Sequence, residues 1–590
     1  MTSAVRTRRH PASGRPAEAR LPGAVRPLLT SLPRAAAVRG AVALAAPVAV
    51  GVLTGWLVQS AIAAIGALWG VSQDGSDPYP SRVRRLVSLG VAAALGLAAG
   101  ELALRSGQSA ALTVCLVAAA LVAGAISRRG RAASVAGTHL LLGATIGGGI
   151  PAPGPWWQAP LALLAGVGSV LALSATPWLW RRHHIERAAL LAVYRAASVA
   201  LAAAGTAGAA HARRRLTVTL DNAHQVLDRY RRTDERPPSD PQVGALLKAF
   251  RLAVRLAEAV TTLQWEARPL PAVVTNVPLL MAARLLPDRD HRAAPTPPDL
   301  RPDSPGLRAL AHLCATDDAE RLDDVQALPH PASLSPERPT SLPYAVLLPI
   351  CVLAAQLSAE VLHGPRPYWL PMTVASVYKP DLGPVFRRAL HRCIGTVVGV
   401  AAIGAVSLLT HNTHAYIGVA AFCGALMAVG VHHHYALATT GLTAFVFMLT
   451  DLLGDHPALY LPRILDTCLA SAIVLVVHFA LWPGSAVRRA HAQTETALAA
   501  ALRYRDLSPS VTSAQRQALR RAAYRQLAGA RRAAADARRE LVLPGRKLPD
   551  WEQTITAAED LCDAVTARSL GVALPPAIPP AAACCPARVA

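Results

Sequence analysis

Aromatic and charged residues are scarce in this chain, and cysteines in metal-binding spacing are missing. Of 590 residues, 5% are aromatic and 16% are charged, whereas 53% are hydrophobic. The nine cysteines include no CxxC pair, which argues against a zinc site or a disulfide framework. This composition is typical of a membrane protein rather than of a water-soluble enzyme.

Motifs for nucleotide-driven or hydrolytic chemistry are also missing. The sequence contains no GxxxxGK[ST], GxSxG or HExxH pattern. We therefore expect no enzymatic activity, no cofactor and no metal. The run of three histidines at 432–434 is interpreted as the cap of a loop, with a pH sensor or a metal site as the alternatives. Any uphill transport would need an ion gradient or a partner.

The formal charge of +23 raises the question of a nucleic-acid partner. The arginines, however, cluster beside apolar segments and on polar helices, and no nucleic-acid-binding fold is indicated. Contact with anionic membrane lipid is a sufficient explanation of the charge. We therefore predict a lipid partner and no nucleic acid.

The apolar residues are mostly Ala, Leu, Val and Gly, which let membrane helices approach closely. They concentrate in two blocks, each followed by a polar region, and a membrane helix needs about 20 apolar residues. The fold class predicted is all-α: a polytopic membrane protein with two six-helix transmembrane blocks, each followed by a cytoplasmic helical region. The predicted boundaries are a disordered basic N-terminus at 1–37, a first block at 38–182, a cytoplasmic region with Pro-rich linkers at 183–341, a second block at 342–483, a C-terminal cytoplasmic region at 484–575 and a disordered tail at 576–590.

Each block divides into six spans, of which the second is short. The predicted spans are 38–57, 59–73, 86–104, 109–127, 133–150 and 157–180 in the first block, and 342–361, 367–379, 390–409, 414–431, 433–452 and 463–482 in the second. Arginines cluster at the even-numbered exits of the spans, so the positive-inside rule places both termini and both polar regions in the cytoplasm of a bacterial-type inner membrane.

The segment from Tyr368 to Gly399 is the most informative part of the sequence. A looser version of it begins near Leu68, so the membrane unit occurs twice, as in many transporters. The block resembles the fusaric acid resistance family, which includes bacterial aromatic acid exporters. The residues that carry the resemblance are Trp369, Tyr378, Lys379, Pro380, Gly383, Arg387, Arg388, Arg392, Gly395, Thr396 and Gly399. In the first block the GTxxG element is absent.

The charges of this motif suit an anion path. Lys379, Arg388 and Arg392 would place three positive charges at the inner end of a span, as at an anion entrance, although anchoring of a helix end explains them equally well. We include Arg387, Trp369 and Tyr378 as substrate-path candidates.

Two further groups of residues have predicted roles. Glu101 and Asp466 are candidate proton acceptors because buried charges in membrane spans tend to be functional, the alternative being snorkelling at a helix end. Gly395, Thr396 and Gly399 are expected to pack against another helix. On this basis Gly399→Leu should reduce the amount of folded protein, whereas Gly399→Ala should be nearly silent.

The resemblance implies a transporter that exports a small organic or aromatic carboxylate, with self-association of the chain as a further possibility. Two alternatives stay open: a membrane-anchored scaffold without transport, and a passive anion channel. A continuous polar path through the membrane blocks would favour transport, and a dry centre filled with Leu and Ala would favour the scaffold.

Overall fold

The structure is a computed structural model and is all-α throughout the residues it describes. These are residues 34–75, 79–151, 154–176, 183–231, 240–285, 302–315, 342–379, 384–409, 412–454, 459–540 and 548–573. Residues 1–33 of the predicted N-terminal segment, the predicted C-terminal tail and the turn residues Pro380 and Gly383 lie outside them. Residues 34–37, which were predicted to be disordered, are instead the first turn of a helix, because their alanines continue into the apolar run.

The helices fall into three groups. The first helical set is α1 Arg34–Thr54, α2 Leu57–Ser72, α3 Tyr79–Arg105, α4 Ser109–Ser127, α5 Arg131–Gly147 and α6 Gln158–Ala175. The second helical set is α13 Leu342–Leu362, α14 Trp369–Val377, α15 Val385–Leu409, α16 Ala415–His433, α17 Tyr435–Leu452 and α18 Tyr460–Leu481. The polar layer is α7 His184–Ala202, α8 Ala209–Arg231, α9 Pro241–Trp265, α10 Ala272–Thr275, α11 Val277–Leu285, α12 Pro305–Ala315, α19 Ser485–Leu507, α20 Ser513–Arg539 and α21 Trp551–Ser569.

Within the described residues, eight helices are long and apolar enough to cross a membrane. The protein is therefore a polytopic membrane protein, as predicted. The eight are α1, α3, α4, α6, α13, α15, α17 and α18. The second helix of each set is short, in agreement with the sequence: α2 has 16 residues and α14 has 9. At about 1.5 Å per residue α14 is roughly 13 Å long, less than half of a bilayer core.

The outward faces of these helices are apolar, as a lipid environment requires. Large aliphatic and aromatic side chains stand exposed along them, including Leu53, Leu95, Val114, Phe422 and Val476. Each of these residues is more than half exposed. An apolar surface of this extent is not covered by the chain itself, so it fits acyl chains.

The two helical sets have the same internal packing. In the first, α3 packs on α5, α5 on α4, and α2 on α6, and in the second, α15 packs on α17, α17 on α16, and α14 on α18. One hydrogen bond is repeated as well. Arg85 donates to the carbonyl oxygen of Gln73, 12 residues earlier, and Arg388 donates to that of Ser376, also 12 residues earlier. The predicted duplication is thus visible in the contacts.

Each set contributes its first helix to the other set. Helix α1 packs on α16, and the equivalent helix α13 packs on α4. Both crossings are close because they involve small residues. A β-carbon on Gly40 would lie 2.4 Å from the carbonyl oxygen of Gly424, and one on Gly124 would lie 2.6 Å from the Cα atom of Ala345. The sets therefore interlock and share their hydrophobic cores.

The predicted glycine packing of the motif helix α15 agrees with its contacts with α17. Gly395 and Gly399 are buried, and Thr396 beside them is 0% exposed. A β-carbon on Gly399 would lie 2.8 Å from the carbonyl oxygen of Thr440. Gly96 of α3 meets the backbone of α5 in the same manner, at Leu140 and Ala144. The first set therefore repeats this close helix crossing, although its sequence lacks the GTxxG element.

This contact changes the expectation for Gly399→Ala. Since even a β-carbon would overlap a backbone oxygen, alanine should be destabilising and not silent, and leucine should be worse, with overpacking costing roughly 1–3 kcal/mol. Thermal unfolding in detergent measures the effect. Gly418→Ala in α16 is the control, because nothing lies within 4 Å of a β-carbon there. Equal melting of Gly399→Leu and the parent would contradict the close crossing.

The polar layer joins the two polar regions of the chain. Helix α9 packs on α21, and α8 packs on α20. Buried ion pairs and hydrogen bonds connect them: Arg213 pairs with Asp563, Arg214 Nε lies 2.9 Å from Glu559, and Arg520 donates to the Thr261 hydroxyl at 3.0 Å. We call the end of the helical sets that contacts this layer the base, and the opposite end the far end.

Candidate anion path

A small cavity opens at the base of the second set, where α13, α14, α15 and α18 meet α19 and α20. Its volume is ≈ 60 Å³, enough for a few water-sized groups. The wall combines aromatic and charged side chains, namely Tyr344, Tyr378, His478 and Trp482 together with Lys379, Arg489, Asp536 and Glu540. Two predicted residues, Tyr378 and Lys379, thus belong to one cavity.

The aromatic side of the cavity is held in place by contacts between its own rings. Tyr344 and Tyr378 stack with centroids 5.5 Å apart. The Tyr378 hydroxyl lies 3.3 Å from Nδ1 of His478, and the other ring nitrogen of His478 lies 3.2 Å from the Ser485 hydroxyl. The rings are therefore preorganised surfaces for a flat ligand.

The polar layer supplies the two carboxylates of the cavity. Glu540 accepts a hydrogen bond from the backbone N–H of Phe386 at 3.3 Å, in the first turn of α15, where a helix favours negative charge. Burial raises the pKa of Asp536, and the charges of Arg539, Arg489 and Arg387 oppose this rise. The layer thus contacts the helix that carries the motif arginines.

Above the cavity, Arg388 and Arg392 point into the second set. Both are buried, with 6% and 3% of their surface exposed. Arg388 donates to the Ser376 carbonyl oxygen at 3.0 Å, and its Cζ atom lies 5.0 Å from the centroid of the Tyr435 ring. Neither contact neutralises the charge, because a carbonyl and an aromatic face are not counter-ions.

A third buried arginine, Arg463, enters from the far end on α18. It is 2% exposed, and its Cζ atom lies 5.0 Å from the centroid of the fully buried Trp369 ring. Asp466 lies one turn further along α18.

Several buried polar atoms along this row have no hydrogen-bond partner. In the described part of the chain they are Nε and Nη1 of Arg388, Nε of Arg392, Nη1 of Arg463, and the hydroxyl oxygens of Thr396 and Thr443. Nor does any described carboxylate form an ion pair with these three arginines. Burying a charged donor without a partner is costly, so the row is complementary to an anion.

The far end of the second set is polar too. Asp451 accepts a hydrogen bond from Ser407 at 2.9 Å and one from Tyr460 at 3.5 Å. The Tyr460 ring packs edge-on against Phe447, whose ring in turn lies beside Trp369. Polar groups therefore recur from the base to the far end of the second set, separated by aromatic rings.

The remaining predicted residues are placed as follows. Arg387 is half-buried at the base, and its charge acts on Asp536. Glu101 is buried in the first set, where it pairs with Arg105, so it lies far from that row along the chain and in the other set. The role of Glu101 and Asp466 as proton acceptors stays a prediction. His433 and His434 are exposed, and no metal-binding cluster occurs among the described residues.

Arg463 and Arg489 belong to the path but were not among the predicted site residues. Arg463 sits in the first turn of an apolar helix, and it is the first residue of the predicted span 463–482. The rule that selected Asp466, namely an ionisable residue within a span, applies equally to Arg463. No comparable signal marks Arg489, which only the packing of α19 brings to the cavity.

The long apolar helices and the buried arginine row define this chain as a polytopic membrane protein with a candidate anion path. Residues 350–477 match the family described as fusaric acid resistance protein-like, so the second helical set is similar to that family over most of its length. The predicted resemblance is confirmed. The match spans the whole motif segment and most of α18.

Two of the relatives of this chain are named as membrane proteins. The uncharacterized membrane protein YvaC of Bacillus subtilis is 27% identical over 470 residues, which cover 75% of this chain and 72% of YvaC. The inner membrane protein YccS of Escherichia coli is 30% identical over 144 residues, 24% of this chain and 20% of YccS. An uncharacterized protein of Haemophilus influenzae is 28% identical over 141 residues, again covering 20% of the relative. No solved structure matches this chain.

Proposed function

We propose that the protein exports small organic anions, aromatic carboxylates foremost, through the second helical set. The observation that carries this proposal is the row of Arg388, Arg392 and Arg463, buried without a described carboxylate partner. Because an isolated charge in a membrane interior is expensive, it persists where it has a function. An anion that passes along the row would accept hydrogen bonds from each guanidinium group in turn and balance its charge.

The cavity at the base supports the aromatic part of the proposal. Tyr344, Tyr378 and Trp482 offer flat apolar surfaces, while Lys379 and Arg489 offer positive charge on the same wall. This combination suits a ring that bears a carboxylate. The family match agrees, since its description refers to resistance to an organic acid.

We further propose that all twelve helices of the two sets lie in the membrane. The four that are shorter or less apolar pack between the eight long ones, and α2 and α14 have the same position in their sets. The arginine distribution then puts the polar layer and both termini in the cytoplasm of an inner membrane. Excess arginine at the base would also bind anionic lipid.

The polar groups that recur from the base to the far end of the second set favour transport over a scaffold. A carrier and a passive anion channel would both use them. Glu101 and Asp466 remain predicted proton acceptors, of which Asp466 is the better placed because it faces Arg463.

Reconstituted liposomes can test the proposal with labelled benzoate as the probe. We expect saturable benzoate uptake that unlabelled benzoate inside the vesicles accelerates, a behaviour of carriers. Arg392→Gln should lower uptake about tenfold or more, since hydrogen bonds to charged groups contribute roughly 1.5–3 kcal/mol. Lys379→Gln and Arg388→Gln should lower it as well.

Arg84→Gln is the matched control, because Arg84 is an exposed arginine at the base of the first set. Its uptake should equal that of the parent. Benzoate current without acceleration by internal benzoate would identify a channel. If correctly inserted parent protein shows neither uptake nor current for benzoate and related carboxylates, the scaffold is the better hypothesis.

A further inference from the structure

The base of the first helical set contains the counterpart of the cavity described above. In the second set, α13 and the residue after α14 bring Tyr344 and Tyr378 together at the cavity wall. In the first set, the equivalent helices α1 and α2 bring together Arg39 and Asp74. The repeated hydrogen bonds of Arg85 and Arg388 fix the register, because each anchors the third helix of its set to the end of the second. In this register Arg82 corresponds to Val385, which lines the cavity, and Asp74 lies one residue before the counterpart of Tyr378.

At this counterpart position the protein holds a carboxylate of its own. Asp74 is 6% exposed, and its Oδ2 atom lies 2.8 Å from Nη2 and 2.9 Å from Nε of Arg39. Its Oδ1 atom lies 3.4 Å from Nη1 of Arg82, which is buried as well. Each carboxylate oxygen thus faces a different guanidinium.

We propose that the first helical set retains a binding site for a small carboxylate, and that Asp74 fills this site as a tethered ligand. Two arginines that each face one oxygen of a planar, singly charged group match a carboxylate. Arg39 is 23% exposed, so a small solute could reach the site from the base. The first set is therefore closed to substrate, whereas the second set binds it.

This inference rests on the proposed function in one respect. A first set closed by its own carboxylate beside a second set that binds substrate requires that the second set transports a carboxylate.

The test uses the full-length protein in detergent and replaces Asp74 by alanine. Loss of the carboxylate leaves two guanidinium groups facing each other, so the melting temperature in sodium chloride should fall by several degrees. Sodium formate at the same ionic strength should restore at least half of that loss, and phosphate should restore less. Asp506→Ala, which removes one partner of the exposed ion pair with Arg505, is the control and should show neither effect.

An equal response of Asp74→Ala and the parent to formate would overturn the inference. Should Asp74→Ala not accumulate, Asp74→Asn keeps the shape and removes the charge, and formate must then stabilise that variant beyond the parent. Formate stabilisation should also persist when Arg489→Gln is added, because Arg489 belongs to the second set. Rescue by formate without benzoate transport would reject the proposed function alone, and transport without rescue would reject only the first-set site.

Discussion

Replacing Gly143 in α5 by alanine should remove most of the folded protein recovered in detergent. A β-carbon there would lie 2.2 Å from the carbonyl oxygen of Ala93 in α3, and the reciprocal glycine, Gly96, approaches α5 within 1.9 Å by the same measure. Backbone cannot move aside as a flexible side chain can, so the helices must separate along their whole crossing. We expect the loss to reach or exceed the upper end of the roughly 1–3 kcal/mol that overpacking costs.

Gly168→Ala provides the matched control for this prediction. It is also a helical glycine of the first set, in α6, but a β-carbon there has open space around it. Yield and thermal unfolding of the two variants, measured side by side, separate close crossing from a general intolerance of substitution. Parent-like yield of Gly143→Ala would show that α3 and α5 are not in backbone contact.

A second large effect is expected in the polar layer from Arg213→Met. Arg213 pairs with Asp563, which is 1% exposed, and its Nη2 atom lies 3.6 Å from Glu559. Without Arg213, Asp563 keeps the Tyr524 hydroxyl as a hydrogen-bond donor but loses its counter-ion. Removal of one member of a buried pair typically lowers the free energy of unfolding by about 3–5 kcal/mol.

Limited proteolysis and thermal unfolding measure this change, because α8 and α21 should separate before the membrane helices do. Arg505→Met is the control, since the Arg505–Asp506 pair is exposed and should contribute about 0–1 kcal/mol. Equal resistance of Arg213→Met and the parent to protease would mean that the other contacts of α8 and α9 with α20 and α21 are sufficient to join the two polar regions.

The positions of the membrane helices could be predicted from the sequence because hydropathy is a local property. The span predicted at 109–127 coincides with α4, and that predicted at 433–452 begins two residues before α17. The short second helices were also foreseen, since the apolar runs end at the charged turns. These features depend on neighbouring residues only.

The partners of the helices, and the path residues Arg463 and Arg489, could not be predicted in this way. Nothing near Gly40 shows that it contacts Gly424, because hydropathy carries no information on contacts between distant segments. Asp74 likewise has the sequence context of a turn residue. Its two arginine partners, Arg39 and Arg82, are recognised only from the packing of α1 and α3 in the structure. The motif arginines were found because three of them lie close together, whereas Arg463 is far away in sequence.

The exchange of first helices between the sets has a consequence for biosynthesis. Helix α1 leaves the ribosome long before its partner α16 has been translated. Helix α13, in contrast, is synthesised when its partner α4 has already been inserted into the bilayer. Between these two events the α1 face that carries Gly40 has only lipid or an insertion chaperone to contact. Final assembly of both halves must therefore follow synthesis of the second half, and a chain that is truncated after α12 would be left without the contacts that close its first half.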